Sequence, residues 1–183
     1  MMLPLETTHA QTLSYFGGVS SSWGEKSIIF CTLTCRKGSA SSNKNLNAPT
    51  AGVSITPRTI GPLQFETGVF LAPKGWRVTT PTLQVVYLEI PLLAHLGFWP
   101  RGAGFGAGIT GGLAADLDIL TPGHSDAALV AGIRFQAATA RGKRYSLSIR
   151  FAKGVNTIYD LQNHVITLLL GFSPAPKGRS EGS

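Results

Sequence analysis

Apolar and polar residues alternate along most of the chain with a period of two. Such alternation is typical of a β-strand that has one apolar and one polar face. Eight segments show it, and their apolar faces begin at Leu13, Ala51, Leu63, Val86, Ala103, Leu129, Tyr145 and Ile166. Only residues 113–120 suggest a turn or two of helix, which Pro122 would end. The pattern therefore predicts an all-β fold of eight strands.

The connections between these segments predict how the strands are arranged. The first, third, fifth and seventh connections are long. The second is short, the fourth, over residues 95–101, is moderate, and the sixth, over residues 139–143, is a tight turn. In a closed up-and-down barrel this alternation places the long loops at one rim and the short turns at the other. We expect a barrel over residues 13–172, an N-terminal segment over 1–12 that resembles a signal-peptide remnant, and a disordered tail over 173–183.

The two faces of the strands differ enough to predict which one lines the lumen. One face carries Leu, Val, Ile, Phe and Tyr, and the other carries Ser, Thr, Gly, Gln, Glu and Arg. The lumen of an eight-stranded barrel is narrow, so small and a few long polar side chains can fill it. The apolar face then points outward, which suits lipid and not water. The positions predicted to face lipid are Val86, Leu88, Ile90, Phe105, Ile133, Phe135, Leu147, Ile149, Ile166 and Leu168.

Aromatic residues near the predicted strand ends support this orientation, because aromatic girdles mark both interfaces of a membrane barrel. They are Tyr15, Trp23, Phe65, Tyr87, Phe98, Trp99, Tyr145, Phe151 and Phe172. No stretch reaches the ~18 apolar residues of a transmembrane helix. The sequence thus predicts an eight-stranded antiparallel up-and-down transmembrane β-barrel.

A soluble lipocalin-like barrel that binds a small apolar ligand is the alternative interpretation. It requires the apolar face of every strand to point into the barrel and the polar face to point outward. Leu147, Ile149 and Leu168 would then line a cavity, while polar residues such as Glu89 and Arg134 would face water.

Several segments resemble an outer-membrane β-barrel family of Bacteroidetes-type bacteria that includes the PorT-like proteins. The segment Tyr87-Leu88-Glu89-Ile90-Pro91-Leu92-Leu93 is similar to the fourth-strand signature of that family. The glycine-rich residues 102–112, residues 146–156 and residues 163–172 also resemble its later strands. The resemblance implies an outer-membrane barrel with periplasmic termini, no catalytic residues and, in some relatives, a link to protein secretion and gliding.

Charged residues fall on the predicted inner face at four positions, Glu66, Glu89, Arg134 and Arg150. Simple hairpin registers place the two acids close together and make the two arginines diagonal neighbours. Because Arg binds carboxylates through two parallel hydrogen bonds, these residues predict a charge-paired plug across the lumen. At this strand number a filled, non-conducting barrel is favoured over a gated path.

Charge and composition refine the expected partners. The 183 residues include 16 Lys and Arg against 9 Asp and Glu, which gives a net charge of +7. The longest basic cluster, Arg141, Lys143 and Arg144, lies in a predicted turn and forms no dense stripe, so we expect no nucleic-acid binding. The long-loop rim, in which we include Lys74, Asp116 and Asp126, suggests lipopolysaccharide phosphates as partners. Envelope or secretion proteins are further candidates.

Other motifs point to no enzyme, cofactor or metal. Cys31 and Cys35 lie in the first long loop, where they form either a loop disulfide or structural thiols. Residues 106–111 match G-x-G-x-x-G but lack the strand-turn-helix context of a dinucleotide site. The four histidines are scattered, with His95 in a predicted turn, and adjacent His124, Ser125 and Asp126 rarely form a triad.

Overall fold

The computed structural model describes residues 7–8, 11–26, 44–77, 82–100, 102–119, 125–158 and 161–175. It contains eight long strands: β1 Thr12–Lys26, β2 Lys44–Ile60, β3 Leu63–Arg77, β4 Thr82–Phe98, β5 Gly104–Asp118, β6 Ser125–Ala138, β7 Arg144–Ile158 and β8 Leu161–Ser173. A further short bridge, Thr7–Thr8, pairs with the end of β2. No helix in the described part of the chain is long and apolar enough to span a membrane.

The strands close into a single barrel. Each strand is antiparallel to its neighbours in sequence, and β8 pairs with β1 from Tyr15↔Phe172 to Lys26↔Leu161. The predicted eight-stranded antiparallel up-and-down barrel is therefore confirmed. We call the rim with connections 61–62, 99–103 and 139–143 the turn-side rim, and the opposite one the loop-side rim. Since β1 begins and β8 ends at the turn-side rim, both ends of the barrel lie there.

The strands extend farther toward the loop-side rim than the sequence pattern predicted. Residues 72–77 belong to β3, residues 115–118 to β5 and residues 153–158 to β7. The expected alternation of long and short connections is thus wrong, since residues 27–43 alone leave a long gap between strands. The helical turn suggested for residues 113–120 is wrong as well, because Leu113 and Leu117 face outward and Ala114 and Asp116 inward along β5. Side chains still alternate between the two faces in these segments, but many of the residues are small or charged. The difference in hydropathy between the faces is therefore weak there.

The distribution of apolar and polar side chains is the reverse of that in a soluble protein, with apolar side chains outside and polar ones inside. Exposed side chains on the outer face include Leu92 at 63%, Phe105 at 83% and Leu170 at 65%, whereas Ser14 and Ser148 are each 1% exposed. All ten residues predicted to face lipid lie on this outer face. Four of them are half-buried, namely Val86, Leu88, Ile90 and Leu147, and the other six are exposed. The lipocalin-like alternative is therefore wrong about which face lines the lumen.

Glycines on the inner face make room for aromatic side chains in the lumen. A Cβ added to Gly52 would strike the ring of Phe70, and one added to Gly171 would strike the ring of Phe16. On β5, a Cβ at Gly108 would lie 2.7 Å from the indole of Trp99. Each of these aromatic rings therefore packs against a glycine, and this close approach lets large side chains fit in the narrow lumen.

Candidate functional site

A cluster of four ionisable side chains fills the lumen on the turn side, and we call it the Glu66 cluster: Glu66, His95, Arg134 and Arg150. Arg150 Nη2 donates to Glu66 Oε1 at 2.6 Å, and Arg134 Nη1 donates to Glu66 Oε2. The carboxylate is thus shared by two guanidinium groups from neighbouring strands. Because Gly132 pairs with Arg150 and Ser148 with Arg134, the two arginines are diagonal neighbours on β6 and β7.

His95 completes the Glu66 cluster although the sequence pattern placed it in a turn. That prediction is wrong, because β4 continues to Phe98 and directs the fully buried His95 into the lumen. Its Nε2 lies 3.2 Å from Glu66 Oε2, and its Nδ1 lies 2.8 Å from Thr110 Oγ1. Next to it, Trp99 contacts the imidazole edge-to-face and donates its indole N–H to the Pro62 carbonyl at 2.7 Å. Trp99 therefore packs inside the turn-side mouth instead of joining an outer girdle.

An aromatic layer lies against the arginines. Phe16 and Phe70 contact each other with ring centroids 5.7 Å apart, and both are buried together with Leu169. The guanidinium carbon of Arg150 lies 5.4 Å from the Phe70 ring, and that of Arg134 lies 5.7 Å from the Phe16 ring. These are cation–π distances, so the rings stabilise charges that have no access to bulk water.

A second charged group, the Lys74 cluster, consists of Lys74, Glu89 and Asp116. Lys74 Nζ lies 2.7 Å from Glu89 Oε2 and 2.7 Å from each carboxylate oxygen of Asp116. The side chains of Lys74 and Asp116 are 2% and 3% exposed, so assigning both to the loop rim was wrong. Tyr87 is also inward and buried, with its ring 5.7 Å from the Lys74 ammonium, and does not belong to an outer girdle.

Two further sequence predictions need correction. Glu89 is not beside Glu66, because Glu89 pairs with Phe70 and Glu66 pairs with Leu93. The four charged residues therefore do not form one plug: Glu66 holds both arginines, and Glu89 holds Lys74. Asp126, assigned to the loop rim, is buried and its Oδ1 accepts a hydrogen bond from the Ala127 backbone N–H at 2.7 Å.

Odd or even position along a strand could have identified the two lumen residues that the sequence analysis missed, Lys74 and His95. Lys74 has the same parity as Glu66 and Phe70 along β3, and His95 has the same parity as Glu89 along β4. Extending the strand phase across Pro73 and Gly75 would have placed Lys74 in the lumen. The contact of Lys74 with Glu89 follows from the β3–β4 register once Lys74 is assigned to the strand, whereas the contacts of Glu66 with Arg134 and Arg150 depend on barrel closure.

The remaining candidate chemistry is sparse. Among the described residues, no group of three or more His, Cys, Asp or Glu could hold a metal ion. Cys31, Cys35, His9 and His124 lie outside the described residues. At the loop-side end of the outer face, His164 contacts Trp23 at 5.7 Å and Phe151 at 6.0 Å between ring centroids, and the Trp23 and Phe151 rings are themselves 6.4 Å apart.

Most exposed aromatic side chains gather near the turn-side rim. They are Tyr15, Phe65, Phe98, Phe105, Phe135 and Tyr145, each at least 40% exposed. Phe172 joins them through Tyr145, with ring centroids 5.5 Å apart. This ring of aromatics has the position of an interfacial girdle.

Comparison with known proteins supports the architecture. No protein-family model matches the chain, and no curated protein matches its sequence. Among solved structures, the N-terminal β-barrel domain of Pseudomonas aeruginosa OprF is 12% identical with a TM-score of 0.52, covering 88% of this chain and 97% of that one. The outer membrane protein OprG from Pseudomonas aeruginosa is 11% identical with a TM-score of 0.52, covering 92% and 98%. At these identities the similarity establishes the fold.

Proposed function

We propose that the protein is an integral barrel of a bacterial outer membrane with a structural or interaction role. The observation that carries the proposal is the continuous outer face of exposed apolar residues, such as Leu92, Phe105, Ile109 and Leu170, each above 60% exposed. A soluble monomer rarely exposes apolar patches beyond a few hundred Å². A closed barrel, in contrast, satisfies every backbone hydrogen bond internally and can present such a face to lipid. The outer membrane protein OprG shares this fold.

The lumen supports a role that requires neither conduction nor catalysis. Two charged clusters and the Phe16–Phe70 pair occupy its interior, leaving the barrel filled as expected for eight strands. The two clusters together hold three cations and three acids in ion pairs, and their residues form no reactive pair of nucleophile and base. The activity of the protein therefore belongs to its rims and outer surface.

The two rims suggest an orientation and partners. We place the turn-side rim, which holds both ends of the barrel, in the periplasm, because the one long gap between the described strands, residues 27–43, joins β1 and β2 at the opposite rim, and the longer connections of such barrels are external. The loop-side rim then faces outward, and the connection between β1 and β2 contains Arg36 and Lys37, for which lipopolysaccharide phosphates are the expected partners. The PorT-like resemblance, based on Tyr87–Leu93 in β4, leads us to propose support of secretion or envelope integrity.

A matched pair of substitutions tests the membrane assignment. Ile149 faces outward and is 39% exposed, whereas the adjacent Ser148 faces the lumen and is 1% exposed. Ile149→Arg should reduce bilayer insertion by about 2–4 kcal/mol, because an Arg that faces lipid near the midplane is costly. Ser148→Ala should leave insertion unchanged.

Insertion is measured by folding into lipid vesicles, read as the change in gel mobility between unboiled and boiled samples. Circular dichroism in buffer and in detergent micelles gives an independent readout. Equal effects of the two substitutions, or a stable β signal in plain buffer, would contradict the proposal.

A further inference from the structure

An apolar groove of about 550 Å³ lies on the outer face of the barrel beside the turn-side rim. This volume falls within the ~300–1,000 Å³ of small-molecule sites. Ala107 forms part of the floor and pairs with Phe98 on β4 and with Phe135 on β6. Because side chains directly opposed on antiparallel strands have Cβ atoms only ~4.5–5.5 Å apart, the alanine leaves a notch between two rings.

The same arrangement repeats closer to the rim. Ala137 pairs with Phe105 on β5 and with Tyr145 on β7, so a second small residue lies between two aromatic ones. Phe98 and Phe105 are 74% and 83% exposed and form high walls. The two notches join into one groove that is lined by hydrocarbon and open to the surroundings, a shape suited to a flexible acyl chain.

A cationic turn adjoins the groove. Residues 139–143 connect β6 and β7, the strands that carry Ala137 and Tyr145. Backbone hydrogen bonds from Thr139 N to Lys143 O at 2.9 Å and from Gly142 N to Thr139 O at 3.0 Å fix the turn, and Gly142 supplies the required positive φ of 76°. Arg141 and Lys143 are exposed on it.

Acidic residues are missing from this rim in the described part of the chain. The acids of the described strands lie in the lumen or toward the loop side, as the Glu66 and Lys74 clusters and Asp126 illustrate. No carboxylate of a described residue at this rim therefore offsets the positive charge of the turn. Basic residues at a membrane surface attract anionic lipid headgroups.

We propose that this groove and turn form a binding site for an anionic phospholipid of the leaflet at the turn-side rim. One acyl chain occupies the notches beside Ala107 and Ala137, and the headgroup phosphate binds Arg141 and Lys143. A second copy of the chain is a poorer occupant, because two cationic turns would repel each other across a symmetric contact. The inference rests on the proposed membrane function and adds a ligand class to it.

Native mass spectrometry of the detergent-solubilised barrel tests the headgroup contact. The protein is titrated with phosphatidylglycerol and with phosphatidylcholine of identical acyl chains, after unboiled gel mobility has verified folding. We expect preferential retention of phosphatidylglycerol. Arg141→Gln combined with Lys143→Gln should weaken it about 5-fold for each charge removed. The control Lys153→Gln removes an exposed charge near the opposite end of β7 and should leave retention unchanged.

A second pair of variants tests the groove itself. Ala107→Phe fills a notch and should reduce the retention of both lipids, whereas Ala131→Phe adds the same ring to an outward position away from the groove. Equal retention of the two lipids by the wild type, or unchanged retention in the glutamine variant, would overturn the inference. A dimer in micelles that Ala107→Phe dissociates would assign the groove to a second copy and also overturn it. Failure of the wild type to form a detergent-embedded barrel would instead refute the proposed function, before any lipid is added.

Discussion

The shared carboxylate of Glu66 offers the sharpest test of how the lumen is stabilised. Glu66→Gln keeps the size of the side chain and removes its negative charge. The two guanidinium groups would remain in place, because Arg134 and Arg150 have side chains only 2% and 5% exposed. The substitution therefore leaves two like charges buried without their common partner.

The expected cost follows from that burial. Each Glu66–Arg contact is worth about 4 kcal/mol at an effective dielectric constant of ~20 and a charge separation of ~4 Å. Removing one partner of a buried pair typically costs about 3–5 kcal/mol, since part of the lost attraction is recovered by relaxation. We expect the free energy of unfolding of Glu66→Gln to fall by at least this amount.

Urea unfolding of the barrel in vesicles, followed by gel mobility and intrinsic fluorescence, measures the change. Ser148→Ala, which alters the residue paired with Arg134 in the lumen, serves as the uncharged control. Replacing the three ion-paired residues by Glu66→Leu, Arg134→Met and Arg150→Met should recover most of the stability, because none of them is then left buried without its partner. A loss below about 1 kcal/mol in Glu66→Gln would refute the view that these ion pairs stabilise the lumen.

Two further predictions concern other parts of the lumen. Lys74→Met should lower the unfolding free energy by about 3–5 kcal/mol, because two carboxylates are left facing each other, and adding Asp116→Asn should restore part of it; urea midpoints measure both. Gly108→Ala should cost about 1–3 kcal/mol, since the new Cβ meets the indole of Trp99, while Gly111→Ala on the same strand meets nothing within 4 Å and should be neutral. Equal urea midpoints for the two alanine variants would contradict this account of lumen packing.

The strand pattern could be predicted because the two faces of each strand meet different surroundings. Around the barrel, apolar side chains face outward and small polar ones face inward, as Leu13, Tyr15 and Ser14 illustrate. This alternation identified both the strands and their orientation. The pattern failed where large apolar residues give way to Ala, Pro, Lys and Gly, as in residues 72–75. Backbone pairing continues there without a hydropathy signal, so the strands extend beyond their predicted ends.

The candidate site was harder to predict than the fold. Glu66, Arg134 and Arg150 could be assigned to the lumen from parity alone, and their contact follows once the barrel closes. The pairing of Glu89 with Lys74 could not be anticipated, because it depends on the register of β3 against β4 and on reading Lys74 as part of a strand. The alternation along each strand thus predicts which way a side chain points, whereas strand register and barrel closure decide what it contacts.

The distribution of charge connects the interior of the barrel to its surface. The ion-paired residues of the two clusters comprise three cations, Lys74, Arg134 and Arg150, and three acids, Glu66, Glu89 and Asp116. These six charges cancel, so the net charge of +7 is carried entirely by the rest of the chain. The Glu66 cluster on the turn side and the Lys74 cluster on the loop side fill the lumen, so a passing ion meets no open path. Among the described cations outside the clusters, Arg141 and Lys143 are exposed at the turn-side rim. We therefore expect the protein to bind lipid phosphates at its rims and outer groove, and not in the lumen.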